Sequence, residues 1–309
     1  MVYQNILEAA GRTPLIQLVR LPAPDSARVL VKMEALGVGG SVKTRTALRM
    51  ISEAEAAGRI GKDSVIVEPT SGNQGIGLAL VGAVKGYRVV IVMPDSVSEE
   101  RRKLIAQYGA ELILIHDDGN IGDCIDRCLK TAMRMAADSP KVYVPQQFEN
   151  PDNPEAHRLG TAQEILEDID GPIDGFCAGI GTGGTLTGVG GALKERFPAV
   201  EIWAVEPENA AILSGGHIGS HLQMGIGDGL IPKNLDQQVY SQVCVVSDGE
   251  ALAAAKALAK EEGLLCGISS GSNVAAALRL AKKLGPGKTV VTILPDTGER
   301  YFSTPLFSS

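Results

Sequence analysis

The sequence predicts an α/β protein of two domains, and three observations carry that prediction. Runs of four to seven Val, Ile and Leu residues alternate with helical segments along most of the chain, as parallel strands covered on both faces do. Turns rich in glycine follow several of those runs, at the strand ends where open α/β sheets bind ligands. At 309 residues the chain also exceeds the size at which one hydrophobic core stops growing.

Taken in order, RVLVKME (28–34) reads as a strand and TRTALRMISEAEAAG (44–58) as a helix stopped by Gly58. SVIVEP (64–69) is a buried strand, and SGNQGIGLALVGAVKG (71–86) a loop feeding an apolar helix. RVVIVMP (88–94), SEERRKLIAQYG (98–109) and ELILI (111–115) continue the alternation. The second half repeats it with GFCAGI (175–180), the helix from TGGTLTGVGGALKERF, EIWAVEPE (201–208) and TVVTILPD (289–296). No fixed-period repeat or low-complexity linker divides the halves.

Composition narrows the function. Apolar residues at 44% and charged residues at 21% are those of an ordinary globular protein. A net charge of -7 argues against a nucleic-acid or anionic-membrane surface. Neither a signal segment nor an 18-residue apolar span is expected, so the reading is cytoplasmic. Cys124, Cys128, Cys177, Cys244 and Cys266 form no C-x-x-C pair, and the chain has four histidines. Free thiols are therefore expected and no metal site.

Three turns could carry chemistry. GIGTGGTLTG (179–188) follows a strand, opens a helix, and matches G-x-G-x-x-G through Gly179, Gly181 and Gly184, with Glu206 at the end of the next strand. That is the dinucleotide pattern with its ribose acid, and equally a cup for one phosphate on a helix N-terminus. Thr182 and Thr185 would add hydroxyl donors; without a ligand, the turn would simply pack helix on strand. SGNQG (71–75) offers N–H groups and hydroxyls suited to a carboxylate, and an amide at Asn73; the bland alternative is Ser71 as an N-cap. In GISSGSN (267–273), Ser269 or Ser270 would cap a helix or meet a ring nitrogen. Lys43 follows Gly39, Gly40, Ser41 and Val42, so it fails the P-loop pattern, which needs glycine directly before the lysine. A lone lysine at a helix start is ordinarily solvated. Together with a phosphate cup, an amide loop and a serine turn, it matches the contacts of pyridoxal phosphate (PLP).

GGSVKTR, EPTSGNQGIGLA, QQFENPDNPEAH, GIGTGGTLTG, EPENAAILSGG, GISSGSN and LPDTGERYFSTPL resemble the cysteine synthase (O-acetylserine sulfhydrylase) and cystathionine β-synthase family. The resemblance covers nearly the whole chain. It implies the fold-type II PLP architecture (tryptophan synthase β-like), with residues 1–39 plus 146–309 as a large phosphate-binding domain and 40–145 as a smaller one. It implies Lys43 as the Schiff-base lysine and Cα proton shuttle, and Asn73 on the cofactor O3′. Gly181, Thr182, Gly183, Gly184 and Thr185 would hold the phosphate, with Ser269 at the pyridine nitrogen. Thr70, Ser71, Gln74 and Gln147 would grip the substrate carboxylate. The implied reaction is β-elimination and β-replacement through an aminoacrylate, O-acetylserine and sulfide giving cysteine and acetate. Implied partners are an amino acid, sulfide or a thiol, a second copy in a homodimer, and in some relatives a serine acetyltransferase tail.

Four departures from the family pattern stand out. Gly37-Val38 replaces Asn-Pro, Thr44 an Asp, Gln74 a Thr, and Asp228 in GIGDG a small apolar residue. The family places that last segment near the substrate's β-substituent. A carboxylate there would repel sulfide anion but could orient water or accept a proton, which suits relatives that release sulfide from cysteine and form serine or lanthionine. Otherwise Asp228 points away and pairs with a lysine or a loop amide. The distant alternative is an NAD-dependent oxidoreductase built on Gly179, Gly181, Gly184 and Glu206, which leaves SVKTR, SGNQG and GISSGSN without a role.

Overall fold

The computed structural model describes residues 2–119 and 121–308. In chain order, β1 (Leu15–Leu18) and β2 (Arg28–Met33) precede α1 (Lys43–Ala56), β3 (Val65–Pro69) and α2 (Asn73–Lys85). Next come β4 (Arg88–Pro94), α3 (Glu99–Gln107), β5 (Glu111–Ile115), α4 (Ile121–Asp138), β6 (Val142–Tyr143), α5 (Asp152–Ala156) and α6 (Ala162–Asp168). The chain closes with β7 (Gly175–Gly179), α7 (Gly184–Arg196), β8 (Glu201–Pro207), β9 (Gln242–Val246), α8 (Asp248–Glu262), α9 (Ile268–Leu284) and β10 (Thr289–Leu294).

One compact unit joins Gly11–Val42 to Pro154–Ser309. Its six-stranded sheet runs β1-β2-β10-β7-β8-β9 and is parallel except for the β1–β2 pair. Buried apolar clusters line both faces. Val29, Val31, Cys177, Trp203 and Val205 pack against α8 and α9, whereas Phe176, Ile202, Val291 and Ile293 pack against α6 and α7. This two-sided burial is why the strands read as near-continuous apolar runs. Lys32 interrupts β2 but is fully buried, its Nζ donating to the Thr13 carbonyl at 2.6 Å and pairing with Glu164 at 3.0 Å.

The other unit joins Met1–Ala10 to Lys43–Asn153 and holds the parallel sheet β5-β4-β3-β6. Val67, Val90 and Val92 pack beneath Cys124, Cys128 and Ala132 of α4. These boundaries depart from a division at 39/40 and 145/146. Residues 41–42 stay with the six-stranded unit because Ser41 bridges Asp296 and the Val42 N–H donates to the Pro295 carbonyl at 2.8 Å. Residues 146–153 stay with the four-stranded unit because Glu68 and Asn153 hold them. Met1–Ala10 group there too, the short turn Ile6–Ala9 lying against α2. No helix among the described residues is long and apolar enough to cross a membrane.

Candidate active site

Lys43 is the first residue of α1 and is half-buried. Its backbone carbonyl lies where a side chain on Gly77 would have to go, since a Cβ there would come within 2.9 Å of that oxygen. Gly77 therefore lets α2 press against the start of α1. The segment entering Lys43 is held from the C-terminal LPDTGERY motif. Arg300 donates to the Gly39 carbonyl, and the Thr297 N–H donates to the Gly40 carbonyl at 3.2 Å. Gly40 is left-handed (φ 67°), and a Cβ on it would sit 2.9 Å from the Arg300 guanidinium. Asp296 is buried and accepts from the Tyr301 hydroxyl at 2.8 Å. Asp296, Arg300 and Tyr301 belong to a motif in which no spacing singles out their individual roles.

The SGNQG turn joins β3 to α2. Gly72, not Ser71, takes the N-cap position of α2, with no side-chain cap. The reason is Arg101 on α3, whose buried side chain fills the space over Gly72, with Cδ 2.9 Å from an added Cβ. Arg101 Nη1 lies 3.4 Å from the Ser71 carbonyl oxygen. Thr70 is buried, and its hydroxyl accepts from the Gly72 N–H at 3.3 Å. Gln74 is buried as well. Its Oε1 accepts from the Thr46 hydroxyl at 2.8 Å, whereas its Nε2 has no partner among the described residues. A buried donor left over is costly unless something else accepts from it. Gln147, also buried, lies in this unit on the turn that follows β6. Thus Lys43, Thr70, Ser71, Asn73, Gln74 and Gln147 all fall in the four-stranded unit.

In the six-stranded unit, GIGTGG forms a cup between β7 and α7. Gly181 has no room for a side chain, because an added Cβ would run into the Gly225 carbonyl oxygen. Gly183 is left-handed (φ 78°), and a Cβ on it would meet Leu235 backbone at 2.9 Å. Bare backbone and the α7 N-terminus, with buried Thr182 beside it, make a concavity of the kind that suits an anion. Thr185 Oγ1 lies 3.3 Å from Nε2 of buried His157, whose Nδ1 is 3.0 Å from Thr161 Oγ1. Asp228 Oδ2 is 3.5 Å from the position of a Cβ on Gly181. The half-buried Asp228 carboxylate therefore lies beside Gly181.

Ser269 and Ser270 lie inside the first turn of α9 and do not cap it. Gly267 takes the N-cap position, since any side chain there would collide with Asp296 and the Tyr301 ring. Asn273, further along α9, ties the sheet together below the cup. Its Oδ1 accepts from the Gly179 N–H at 2.7 Å and its Nδ2 donates to the Ile293 carbonyl at 2.8 Å. Asn273→Ala orphans both groups, and denaturant unfolding is expected to show a loss of about 2–4 kcal/mol.

Glu206, the acid of the dinucleotide pattern, is buried and already engaged. It accepts from the N–H groups of Leu213 at 2.8 Å and Ser214 at 3.0 Å, and from the Ser214 hydroxyl. A ribose has no claim on it. Burial pushes the thiols of Cys128, Cys177 and Cys266 up to about 12, so they stay protonated and unreactive near neutrality. All five cysteines are unbridged and buried.

Residues 6–296 match the family described as pyridoxal-phosphate dependent enzyme. This chain belongs to that family. The PLP-dependent enzyme is 48% identical over 305 residues to a cysteine synthase of Staphylococcus aureus, covering 98% of this chain and 97% of that one. The crystal structure of an O-ureido-L-serine synthase matches with a TM-score of 0.93 at 42% identity, covering 100% of this chain and 96% of that one. A hydrogen sulfide-producing enzyme from Fusobacterium nucleatum matches with a TM-score of 0.91 at 39% identity, covering 97% and 100%. The architecture of this PLP-dependent enzyme is accordingly fold-type II. Its residues fit the cofactor, because Gly181 and Gly183 leave no room for a Cβ and the turn they form opens α7, as a phosphate cradle requires.

Proposed function

We propose that this enzyme carries out β-replacement on a serine-type amino acid, converting O-acetylserine and sulfide to cysteine and acetate. The observation that carries the reading is the 48% identity to the staphylococcal cysteine synthase across 98% of the chain. Bound PLP supplies an electron sink for the substrate's α-carbon. The Nζ of Lys43 would hold the cofactor in the resting enzyme and, with substrate bound, would take the proton from Cα and later return it. Between those transfers the β-carbon loses acetate with its C–O bond and gains a C–S bond from sulfide. Gly181, Thr182, Gly183, Gly184 and Thr185 hold the phosphate, Asn73 the ring hydroxyl oxygen, and Ser269 the ring nitrogen. A neutral serine there keeps the sink weak, which favours loss of the β-group. Thr70, Ser71, Gln74 and Gln147 hold the substrate carboxylate, with the unpartnered Nε2 of Gln74 as one donor.

The experiment is product analysis of the purified protein, with O-acetylserine plus sulfide in one arm and cysteine alone in the other. Cysteine and acetate from the first arm support the reading; an absence of visible cofactor absorption with no product in either arm sinks it. A second reading, release of sulfide from cysteine to give serine or lanthionine, is favoured by the Asp228 carboxylate lying beside Gly181 of the cup. Under it, Asp228 takes a proton from the incoming hydroxyl or thiol. Asp228→Ala is then expected to cut sulfide release from cysteine by about 10²-fold while leaving cofactor absorption intact. Unchanged release removes Asp228 from the mechanism. We further propose a cytoplasmic homodimer, testable by light scattering, and docking of a serine acetyltransferase C-terminal peptide, testable by its competition with the amino-acid substrate.

A further inference from the structure

Glu68 stands on β3 two residues before Thr70, and it is fully buried. Its carboxylate has no cationic partner among the described residues. Instead, Oε2 accepts from the Gln146 N–H and Oε1 from the Gln147 N–H, each at 2.9 Å. Two consecutive N–H groups converge on one carboxyl group only where the backbone takes a nest conformation. Gln146 accordingly adopts φ 58°, the left-handed region that non-glycine residues avoid. The rest of this turn is closed by its own side chains. Asn150 Nδ2 donates to the Pro145 carbonyl at 3.0 Å, and Asn153 Nδ2 to the Gln147 carbonyl at 2.7 Å. The N–H groups of Glu149 and Asn150 both donate to the Gln146 carbonyl. This accounts for the QQFENPDN motif as a turn built around a borrowed carboxylate.

A buried acid without a cation is an expensive way to fill a strand position, and the geometry suggests what it is kept for. We propose that Glu68 is a positioning residue of the substrate-carboxylate site, holding the Gln146–Gln147 nest so that Gln147 keeps register with Thr70, Ser71 and Gln74. The proposal rests on the function proposed above, because the carboxylate role of those four residues does. One short piece of β3 thereby carries the amide loop directly and the second carboxylate-binding segment through two hydrogen bonds.

Burial pushes the Glu68 carboxyl up to about 7, against the lowering effect of the Gln147 and Gln146 N–H groups. The phenol of Tyr143 on β6 faces it, with Arg59 5.8 Å from that ring and paired with Asp152 at 3.4 Å. Burial also raises the Tyr143 phenol, which keeps it neutral where Glu68 titrates. Closing the turn over Glu68 thus takes up a proton. Stability from this group is fully present below the unfolded carboxyl value of 4.5 and is lost as pH rises through about 7.

The test compares the holoenzyme and Glu68→Gln, whose carboxamide offers one acceptor and turns an NH₂ toward the second N–H. The variant is expected to retain cofactor absorption and to show a KM for the amino-acid substrate raised about tenfold, with a smaller change in kcat and none in the KM for sulfide. Hydrogen exchange of the 142–150 segment, corrected for intrinsic rate, is a readout independent of catalysis. In the wild type, protection of this segment should fall as pH rises from about 5 to about 8. In Glu68→Gln exchange should be faster at the low end and flat with pH. An unchanged KM, or a 142–150 segment with the wild-type pH response in the variant, overturns the proposal. If the variant fails to fold, the wild-type pH series decides, and protection independent of pH overturns it. A wild type without cofactor absorption or amino-acid turnover refutes the functional reading, while the exchange data still report whether Glu68 holds the turn.

Discussion

Lys43→Ala is expected to lower kcat/KM by about 10³-fold or more and to remove the visible absorption of the bound cofactor. Lys43 opens α1, and its backbone carbonyl packs against Gly77. Alanine keeps that carbonyl and favours the helix. Denaturant unfolding of the same variant measures any structural cost separately from the catalytic one. The loss would then belong to the amine itself, as covalent anchor and as the base at Cα. Spectra and steady-state kinetics on the same preparation check both roles. A variant that keeps the wild-type spectrum and turnover would return Lys43 to the status of a solvated lysine at a helix start.

Much of this site was legible because strand–turn–helix junctions leave a local signature. Arg88–Pro94 and Glu111–Ile115 form the strands their apolar runs predict, and Gly86 closes α2 in the left-handed region. The turns after β3 and β7 were read from glycines and small polar residues next to a helical pattern. The short strands lacked such a signal. Leu15–Leu18 is a four-residue antiparallel edge carrying a polar Gln17, and Val142–Tyr143 is a strand only through its pairing with Val65 and Ile66.

The supporting residues escaped for a different reason. Arg300 reaches the Gly39 carbonyl, Arg101 the loop at Ser71, and Glu68 the Gln146 and Gln147 N–H groups, across 261, 30, 78 and 79 positions of sequence. Hydrogen bonds to distant backbone impose no spacing on the sequence, so the folded chain alone brings them together. The capping roles considered for Ser71 and Ser270 failed for a related reason. Gly72 and Gly267 occupy the cap positions because Arg101 in one case, and Asp296 with Tyr301 in the other, leave no space for a Cβ.

Gly181→Ala should strike the phosphate cup as directly as Lys43→Ala strikes the chemistry. The φ of Gly181 is not positive, so the backbone itself tolerates alanine. Space does not, because the new methyl would overlap the Gly225 carbonyl oxygen, which is backbone and has no flexible end to swing away. That oxygen's segment is tied to the cup by the Gly227 N–H, which donates to the Ile180 carbonyl at 2.8 Å. Relief therefore requires the Gly225–Asp228 loop or the cup to move, and overpacking of this kind costs about 1–3 kcal/mol. The displaced N–H groups would no longer converge on an anion, so affinity of cofactor-stripped protein for PLP should fall roughly 10- to 100-fold. Gly191 in α7 supplies the control, since nothing lies within 4 Å of an added Cβ there. Gly191→Ala should leave affinity unchanged and add about 0.5–1 kcal/mol of stability. Fluorescence titration with PLP and denaturant unfolding of both variants measure the two effects separately. Wild-type affinity in Gly181→Ala would mean that the phosphate is held elsewhere, and with it would go the reason for reading Asp228, which faces the same glycine, as a neighbour of the reacting groups.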